Sequence, residues 1–339
     1  MSRALIFLVI IVSSVDVAFA QSVQEPTGPK LLLAFSSVRE RRAPPYPVVY
    51  FYEHDGVSNG QLVGSIESIA KGINFTRADM HPSLSRDGRF CAFSAQYGVT
   101  DGGRIEVYDR REKKLLPFPA INDFPNVHQM SPTLSGDGSL VVFSAWARPG
   151  GSPRWGLFLY DLTAKKFLDS PKPISATLDD RLPAISGDGR FLAYVSNARG
   201  GVGLTDIYLC DLHEKTVDAL PGMNSKNMDL QPSLSGDGRL LALSSDRPGG
   251  AGGRDIHLYD RSEKKFLPLT GLNSLAPEQS PSLTADGRYL VFVSERLSGA
   301  GERDIYLYDR EKQSFLPTPG LNSKEDDFDP CVIVLPTQK

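Results

Sequence analysis

Two sets of residues with chemical potential recur along this sequence at fixed intervals. Acidic side chains stand three residues before five of six regularly spaced prolines, with Gln129 at the remaining position; they are Asp79, Asp180, Asp229, Glu278 and Asp327. A second set of arginines stands four or five residues after an aromatic residue or a leucine; it comprises Arg39, Arg148, Arg199, Arg247 and Arg296. Because the hydrogen-bond donors of a guanidinium match the geometry of a carboxylate, the simplest interpretation of the two sets is a repeated arginine–carboxylate bridge that joins loops. A calcium or anion site is the alternative.

A third cluster breaks this regularity. Both tryptophans of the protein lie in one segment, Trp146-Ala147-Arg148-Pro149-Gly150-Gly151-Ser152-Pro153-Arg154-Trp155. Since Trp and Arg are over-represented at binding hot spots, the segment indicates a ligand-binding loop. The full candidate set is Trp146, Arg148, Arg154, Trp155, Tyr97 and His128, together with Arg41 and Arg42 from a basic, proline-rich segment. The alternatives are tryptophans packed against a neighbouring repeat and a solvated basic loop.

Patterns typical of catalysis are missing from the sequence. It has no Gly-x-Ser-x-Gly, His-Glu-x-x-His, Cys-x-x-Cys or Gly-x-x-x-x-Gly-Lys. Its histidines are dispersed over different repeats, at His54, His81, His128, His213 and His257. The Asp-Gly pairs at Asp87, Asp137, Asp188, Asp237 and Asp286 lack the alternating carboxylates of a calcium loop, so they indicate tight turns. The sequence therefore favours a non-catalytic protein, and it predicts no cofactor and no metal site.

The elements that position these residues follow from an internal repeat. Prolines 82, 132, 183, 232, 281 and 330 are separated by intervals of 50, 51, 49, 49 and 49 residues, a period typical of propeller blades. Within one unit, Ser233-Leu234-Ser235, Leu240 to Ser244, Asp255 to Tyr259 and Lys265 to Leu267 read as four short strands. The second-to-third and fourth-to-first connections must emerge on the same face, which therefore carries both the acidic and the arginine sets.

The two ends of the repeat array predict how the ring closes. Leu31 to Ser36 match a second strand without a first, and Pro330 to Val334 match a first strand without a second. We therefore expect these segments to pair, which removes two exposed sheet edges. The predicted fold is all-β, a six-bladed propeller of four-stranded antiparallel blades at 31–335. Its blades are predicted at 31–80 plus 330–335, 81–130, 131–181, 182–230, 231–279 and 280–329.

The first twenty residues predict export. Arg3, the apolar run Ala4 to Val12 and Ala18-Phe19-Ala20 are typical of a signal peptide at 1–20, followed by a lead-in at 21–30. The formal net charge is −3, which favours neither nucleic acid nor an anionic membrane as a partner. The three cysteines, Cys91, Cys210 and Cys331, do not form a disulfide framework, and buried thiols are the simplest interpretation.

The repeat also resembles a known family. Pro-Ser-Leu-Ser-Gly-Asp-Gly-Arg, an aliphatic strand and Asp-Ile-Tyr-Leu-Tyr-Asp are similar to the repeat of TolB-type six-bladed propellers, whose usual Trp-Ser-Pro-Asp-Gly reads here as Leu-Ser-Gly-Asp-Gly or similar. The resemblance covers residues 31–335, and we expect no counterpart of TolB's separate N-terminal domain. It implies a propeller, export and protein binding.

Together, the residues and the resemblance predict a periplasmic or secreted monomer without a membrane span. We expect a non-catalytic scaffold that binds a protein or peptide partner, or alternatively a glycan, on its long-loop face. The alternative function is a lyase or hydrolase of sugars or peptides with an axial active site.

Overall fold

The computed structural model describes residues 28–40, 46–69, 77–97, 103–117, 128–147, 154–169, 179–197, 201–218 and 220–337. Its strands form six four-stranded antiparallel sheets, so the predicted six-bladed propeller is confirmed. The predicted signal peptide lies outside the described residues. Among the described residues, no helix has the length and apolar character needed to cross a membrane.

Each blade runs outward from the axis in four strands. The strands of blade 1 are β1 (Leu31–Ser37), β2 (Val48–His54), β3 (Gly60–Ser65) and β24 (Asp327–Val334), with a short helix α1 (Ile66–Ile69). Those of blade 2 are β4 (Arg77–Leu84), β5 (Phe90–Tyr97), β6 (Gly103–Asp109) and β7 (Lys114–Leu115). Those of blade 3 are β8 (His128–Leu134), β9 (Leu140–Ala147), β10 (Arg154–Asp161) and β11 (Lys166–Leu168).

The last three blades repeat this order. Blade 4 contains β12 (Asp180–Ile185), β13 (Phe191–Ser196), β14 (Asp206–Asp211) and β15 (Thr216–Asp218). Blade 5 contains β16 (Asp229–Leu234), β17 (Leu240–Ser245), β18 (Asp255–Asp260) and β19 (Lys265–Leu267). Blade 6 contains β20 (Glu278–Leu283), β21 (Tyr289–Ser294), β22 (Asp304–Asp309) and β23 (Ser314–Phe315).

The ring closes through the C-terminal strand, as the sequence predicts. Strand β24 pairs antiparallel with β1, with Leu31 opposite Val334 and Ala34 opposite Cys331. The pairing satisfies backbone groups that two free edges would otherwise expose. We call the side with the second-to-third and fourth-to-first connections the loop face, and the side with the Asp-Gly turns the turn face.

The first strands begin three to five residues before their axial prolines, and each contains a bulge. The residue before each axial proline has a φ of +49° to +54°; the six are His81, Ser131, Leu182, Gln231, Ser280 and Asp329. A left-handed conformation costs a non-glycine residue about 1–2 kcal/mol. Hydrogen bonds hold several of them, since the amides of Ser131 and Leu182 donate to Ser94 and Ser144 of the preceding blade.

Neighbouring blades are also joined by hydrogen bonds near the axis. A small first-strand residue in one blade accepts a hydrogen bond from a backbone amide of the next. The pairs are Leu134 N to Ser83 Oγ, Ile185 N to Thr133 Oγ1, Leu283 N to Ser233 Oγ, Val332 N to Ser282 Oγ and Leu84 N to Cys331 Sγ. Ala184 occupies the equivalent position in blade 4 and has no hydroxyl. The same strands line an axial channel of about 460 Å³.

Candidate functional site

The loop face contains the arginine and carboxylate sets, and three of the pairs are fully described. Arg39 donates to Asp327 at 2.7 Å, Arg247 to Asp229 at 2.7 Å, and Arg296 to Glu278 at 3.0 Å. The carboxylates are buried, while the guanidinium groups lie over aromatic rings of their blades. Each bridge joins the second-to-third loop of a blade to the start of its own first strand.

Each bridge is completed by backbone groups of the fourth-to-first loop. The same arginines donate to the carbonyls of Leu321, Met223 and Leu272. The second carboxylate oxygens accept the amides of Ser323, Ser225 and Ser274. Because both oxygens of each carboxylate are already hydrogen-bonded, these three bridges organise the loops rather than present open ligands.

Blade 2 builds its bridge from a residue that the sequence pattern does not indicate. Arg77, fully buried at the start of β4, lies 2.9 Å from Asp79 and 2.7 Å from Glu106. Its guanidinium is 5.6 Å from the centre of the Phe93 ring, much as Arg296 lies over Phe292. Burial, outweighing the nearby Arg77, raises the pKa of Asp79 to about 8, and the carboxylates of Glu106 and Glu67 add to this.

The glycine-rich loops of blades 4 to 6 close over a second buried carboxylate. Asp206, Asp255 and Asp304 begin the third strands and are buried. Gly203 donates its amide to Asp206, and Gly301 to Asp304. Burial raises the pKa of all three carboxyl groups, and the backbone amides offset only part of this effect.

A repeated asparagine, which sequence reasoning missed, fixes the fourth-to-first loops. Asn224, Asn273 and Asn322 each accept from and donate to the backbone of one third-strand isoleucine, at 2.9 Å in every bond. The signal was present in the sequence as Gly-Met-Asn-Ser and two copies of Gly-Leu-Asn-Ser. These clamps hold the fourth-to-first loops, one of which carries Leu275.

The predicted tryptophan site is partly assembled at the loop-face end of blade 3. Trp146 lies opposite Trp155 in β10 and opposite His128 in β8. The two indole centroids are 5.6 Å apart in an edge-on arrangement, and both side chains are half-buried. His128 is exposed beside them. The three residues therefore form one continuous corner, which we call the tryptophan corner.

Other predicted site residues are only partly described. Arg41, Arg42, Arg148 and Arg199 lie outside the described residues, and so do the side chains of Tyr97 and Arg154. Asp180 is buried at the start of β12, as the pattern places it. Gln129 in blade 3 accepts the amide of Ile105 at 3.1 Å.

Exposed aliphatic residues form a further part of the loop face that the sequence did not indicate. Four loop residues of blades 4 to 6 project into solvent: Val202 and Leu204 are 60% and 72% exposed, Leu275 is 89% exposed and Leu297 is fully exposed. They exceed every other large hydrophobic residue of the described chain in exposure; the others lie on fourth strands, such as Leu168 in β11. We call these four residues the aliphatic arc.

One histidine–carboxylate pair lies in the ring of residues that precede the axial prolines. Nε2 of His81 lies 3.5 Å from the Asp329 carboxylate, between blades 2 and 1. Elsewhere in the same ring, Gln231 and Ser280 exchange two hydrogen bonds of 2.9 Å. His257, by contrast, lies in a strand against Phe266, and burial lowers its pKa to about 4. Among the described residues, no cluster of three or more His, Cys, Asp or Glu is arranged to hold a metal.

Comparison with known proteins identifies the architecture. No family model matches the sequence, and no curated protein matches it. TolB from Acinetobacter baumannii superposes with a TM-score of 0.61 at 17% identity, covering 89% of this chain and 66% of the TolB chain. The fold is that of a TolB-type propeller. This agrees with the resemblance carried by the repeat.

Two further structures share this architecture. A TolB-type protein of Agrobacterium tumefaciens has a TM-score of 0.52 at 16% identity, over 91% of this chain and 99% of that one. Hydrazine synthase of Kuenenia stuttgartiensis has a TM-score of 0.56 at 12% identity, over 90% of this chain and 46% of that one. At such identities the likeness concerns the fold alone.

The turn face of this TolB-type propeller departs from symmetry between blades 3 and 4. In blades 2, 5 and 6 an arginine after the third strand donates to the glycine of the Asp-Gly turn; these are Arg110, Arg261 and Arg310. Blades 3 and 4 have Leu162 and Leu212 there. A groove of about 910 Å³ lies beside Leu212, with Arg190, His213 and Lys215 at its edge. The Asp-Gly carboxylates themselves cap their turns, as Asp237 does with Ser235 and Arg239.

Proposed function

We propose that this propeller is a binding scaffold that captures a protein or peptide partner on its loop face. The observation that carries the proposal is the aliphatic arc, where Leu275 and Leu297 expose nearly all of their side chains. Exposed apolar patches on a rigid surface are typical of interaction sites, because binding removes them from water. The resemblance to TolB-type propellers implies protein binding, which supports the same conclusion.

The exposed residues are departures from the repeat rather than part of it. Leu275 occupies the position of Lys226 and Lys324 in the neighbouring blades, and Leu204 occupies that of Glu302. The fold therefore tolerates a charged residue at these positions, and the leucines are not needed to support the loops. Selection of exposed leucine at a position that accepts lysine favours a role in binding.

The tryptophan corner extends this surface to blade 3. Trp146 and Trp155 are half-buried, so each presents part of an indole ring to a ligand while the other part packs. Aromatic side chains of this kind serve as anchors at interfaces, and they also stack on sugar rings. A protein or peptide partner is the primary proposal, and a glycan is the alternative ligand of the same surface. No cofactor takes part.

The test uses substitutions taken from the protein's own repeat. In the triple variant Leu204→Glu, Leu275→Lys and Leu297→Glu, each new residue occurs at the equivalent position of another blade. We expect this variant to keep the wild-type Tm and to lose the partner that the wild-type protein captures from extracts of its native source. The matched control is Leu168→Asp, which removes an exposed leucine from an outer strand and should retain capture.

The tryptophan corner provides an independent readout. Because the protein has only two tryptophans, both in this corner, its intrinsic fluorescence reports binding without a label. Titration with the identified partner should shift the emission of the wild-type protein, and Trp155→Ala should weaken the affinity. Unchanged affinity in both the triple variant and Trp155→Ala would reject the loop face as the binding surface.

A second candidate function, a hydrolase or lyase of peptides or sugars, rests on His81 and Asp329. A histidine beside a carboxylate is a common general acid–base couple, and each member of this pair directly precedes a proline that lines the axial channel. The test is product analysis after incubation with peptide and oligosaccharide mixtures. Turnover that His81→Gln abolishes supports the enzyme; absence of turnover, with capture intact, supports the scaffold.

We place this activity outside the cytoplasm, in the periplasm or the secreted fraction, and in a monomer. The support is the predicted signal peptide and the TolB resemblance. Fractionation of the source cells, with the mature N-terminus determined by mass spectrometry, tests the location, and the molar mass of the purified protein in solution tests the monomer.

A further inference from the structure

Two of the three cysteines meet at the seam between the closing strand and blade 2. Cys331 lies in β24 and its sulfur accepts the amide of Leu84 at 3.4 Å. Leu84 lies directly opposite Cys91 across the β4–β5 pair. Directly opposed residues of an antiparallel pair project to the same side of the sheet, here toward blade 1. Both cysteines accordingly belong to one core cluster between blades 1 and 2.

Both cysteines replace residues that the repeat otherwise supplies. The positions equivalent to Cys91 are Leu33, Val141, Leu192, Leu241 and Leu290, all larger aliphatic residues. The position of Cys331 holds serine or threonine in four other blades and accepts the same hydrogen bond there. A serine would accept this bond better than a thiol, so the hydrogen bond does not explain the cysteine. Two departures from the repeat thus coincide at one seam.

The seam is also the place where a covalent link would have most effect. Strand β24 belongs to the sheet of blade 1 but follows blade 6 in the chain, so only hydrogen bonds and packing hold it there. A disulfide needs Cα atoms about 4.4–6.8 Å apart. Both side chains pack in the same core cluster, as this requirement demands.

We propose that Cys91 and Cys331 are a modification site, at which a disulfide fixes the closing strand to blade 2. The oxidant is an external disulfide. The Cys331 thiolate attacks one of its sulfurs and releases one thiolate; the Cys91 thiolate then attacks the Cys331 sulfur and releases the second. The two cysteines lose two protons and two electrons, and the external disulfide becomes two thiols.

The surroundings of the two sulfurs agree with this order of attack. Cys331 lines the axial channel and is reached from it, whereas Cys91 is fully buried. Burial raises the pKa of Cys331 to about 11. Burial and, next, the proximity of Cys331 raise the pKa of Cys91 as well. Exchange should therefore accelerate with pH, since the thiolate is the attacking species. Cys210 lies in a different cluster, between blades 3 and 4.

The experiment treats the full chain with oxidised glutathione, both folded and during refolding, and counts thiols by mass after denaturation and maleimide labelling. We expect the wild-type protein and Cys210→Ala to lose two thiols, and peptide mapping to recover Cys91 linked to Cys331. Neither Cys91→Ala nor Cys331→Ser should form an internal disulfide, so neither variant should lose two thiols together. Oxidation should raise the Tm by about 8 °C, from the loop-closure entropy of so long a loop.

Three results would overturn the proposal. They are retention of all three thiols in both arms, a linkage that includes Cys210, and glutathione adducts without an internal bond. Cys331→Ser introduces the hydroxyl that other blades have at this position, so the variant is expected to fold. This folded variant should keep both of its thiols. If it does while the wild-type protein loses two, the loss reports the disulfide and not a failure to fold.

Discussion

The hydrogen bonds between first strands yield a pair of substitutions with opposite signs. Ser233 Oγ accepts the amide of Leu283 at 3.0 Å, so Ser233→Ala leaves that amide without its partner. The expected loss is about 1–3 kcal/mol in the free energy of unfolding. Ala184 lacks the hydroxyl that would accept the amide of Leu234, and Ala184→Ser supplies it. The expected gain is about 0.5–1.5 kcal/mol.

Thermal and urea unfolding followed by circular dichroism measure both effects. For a domain of this size, 1 kcal/mol corresponds to about 1.5–2 °C in Tm. Ser233→Ala should therefore lower the Tm by roughly 2–5 °C, and Ala184→Ser should raise it by roughly 1–3 °C. The added oxygen of Ala184→Ser has room, because residue 184 lines the axial channel. An unchanged Tm in Ser233→Ala, or a lower one in Ala184→Ser, would refute the role assigned to these bonds.

Three other predictions concern closure, loop packing and pH. Deletion of residues 330–339 removes the closing strand and should lower the Tm more than any single substitution here; unfolding at the wild-type temperature would contradict the closure. Gly250→Ala places a Cβ 1.6 Å from Asp255 Oδ2 and should cost about 1–3 kcal/mol, whereas Gly253→Ala, whose Cβ meets nothing within 4 Å, should be nearly neutral in urea unfolding. Because the folded pKa of Asp79 is about 8, above its unfolded value, its stability contribution is complete below pH 3.8 and is lost as the pH rises through 8. The Tm of Asp79→Asn should therefore depend less on pH over that range than the Tm of the wild-type protein. An unchanged pH dependence would show that another group titrates.

The architecture could be read from the sequence because the repeat encodes it locally. Each blade carries its own proline, Asp-Gly turn and alternating strands, and the incomplete units at Leu31 and Pro330 imply a closed ring. The pairing of the arginines with the carboxylates could also be predicted from the sequence, as the pair formed by Arg296 and Glu278 shows. The role of Arg77 was not predicted, because it lies at the start of the first strand of blade 2, whereas the other arginines lie in second-to-third loops.

The candidate binding surface could not be predicted from the sequence, for a physical reason. Whether an aliphatic loop residue is buried depends on the path of the loop, and the glycine-rich loops follow the buried carboxylates beneath them. Met223 and Leu272 are fully buried in their fourth-to-first loops, while Leu275, three residues after Leu272, is exposed. Hydrophobicity alone does not distinguish these positions.

What the sequence by itself determined is the propeller, its blade number and the way it closes, since these follow from periodic local patterns. The tertiary structure alone decided which departures from the repeat lie together. Cys91 and Cys331 are far apart in the chain, and ring closure brings them into one cluster. The aliphatic arc was likewise decided by the tertiary structure, because the exposure of its four residues depends on the paths of their loops.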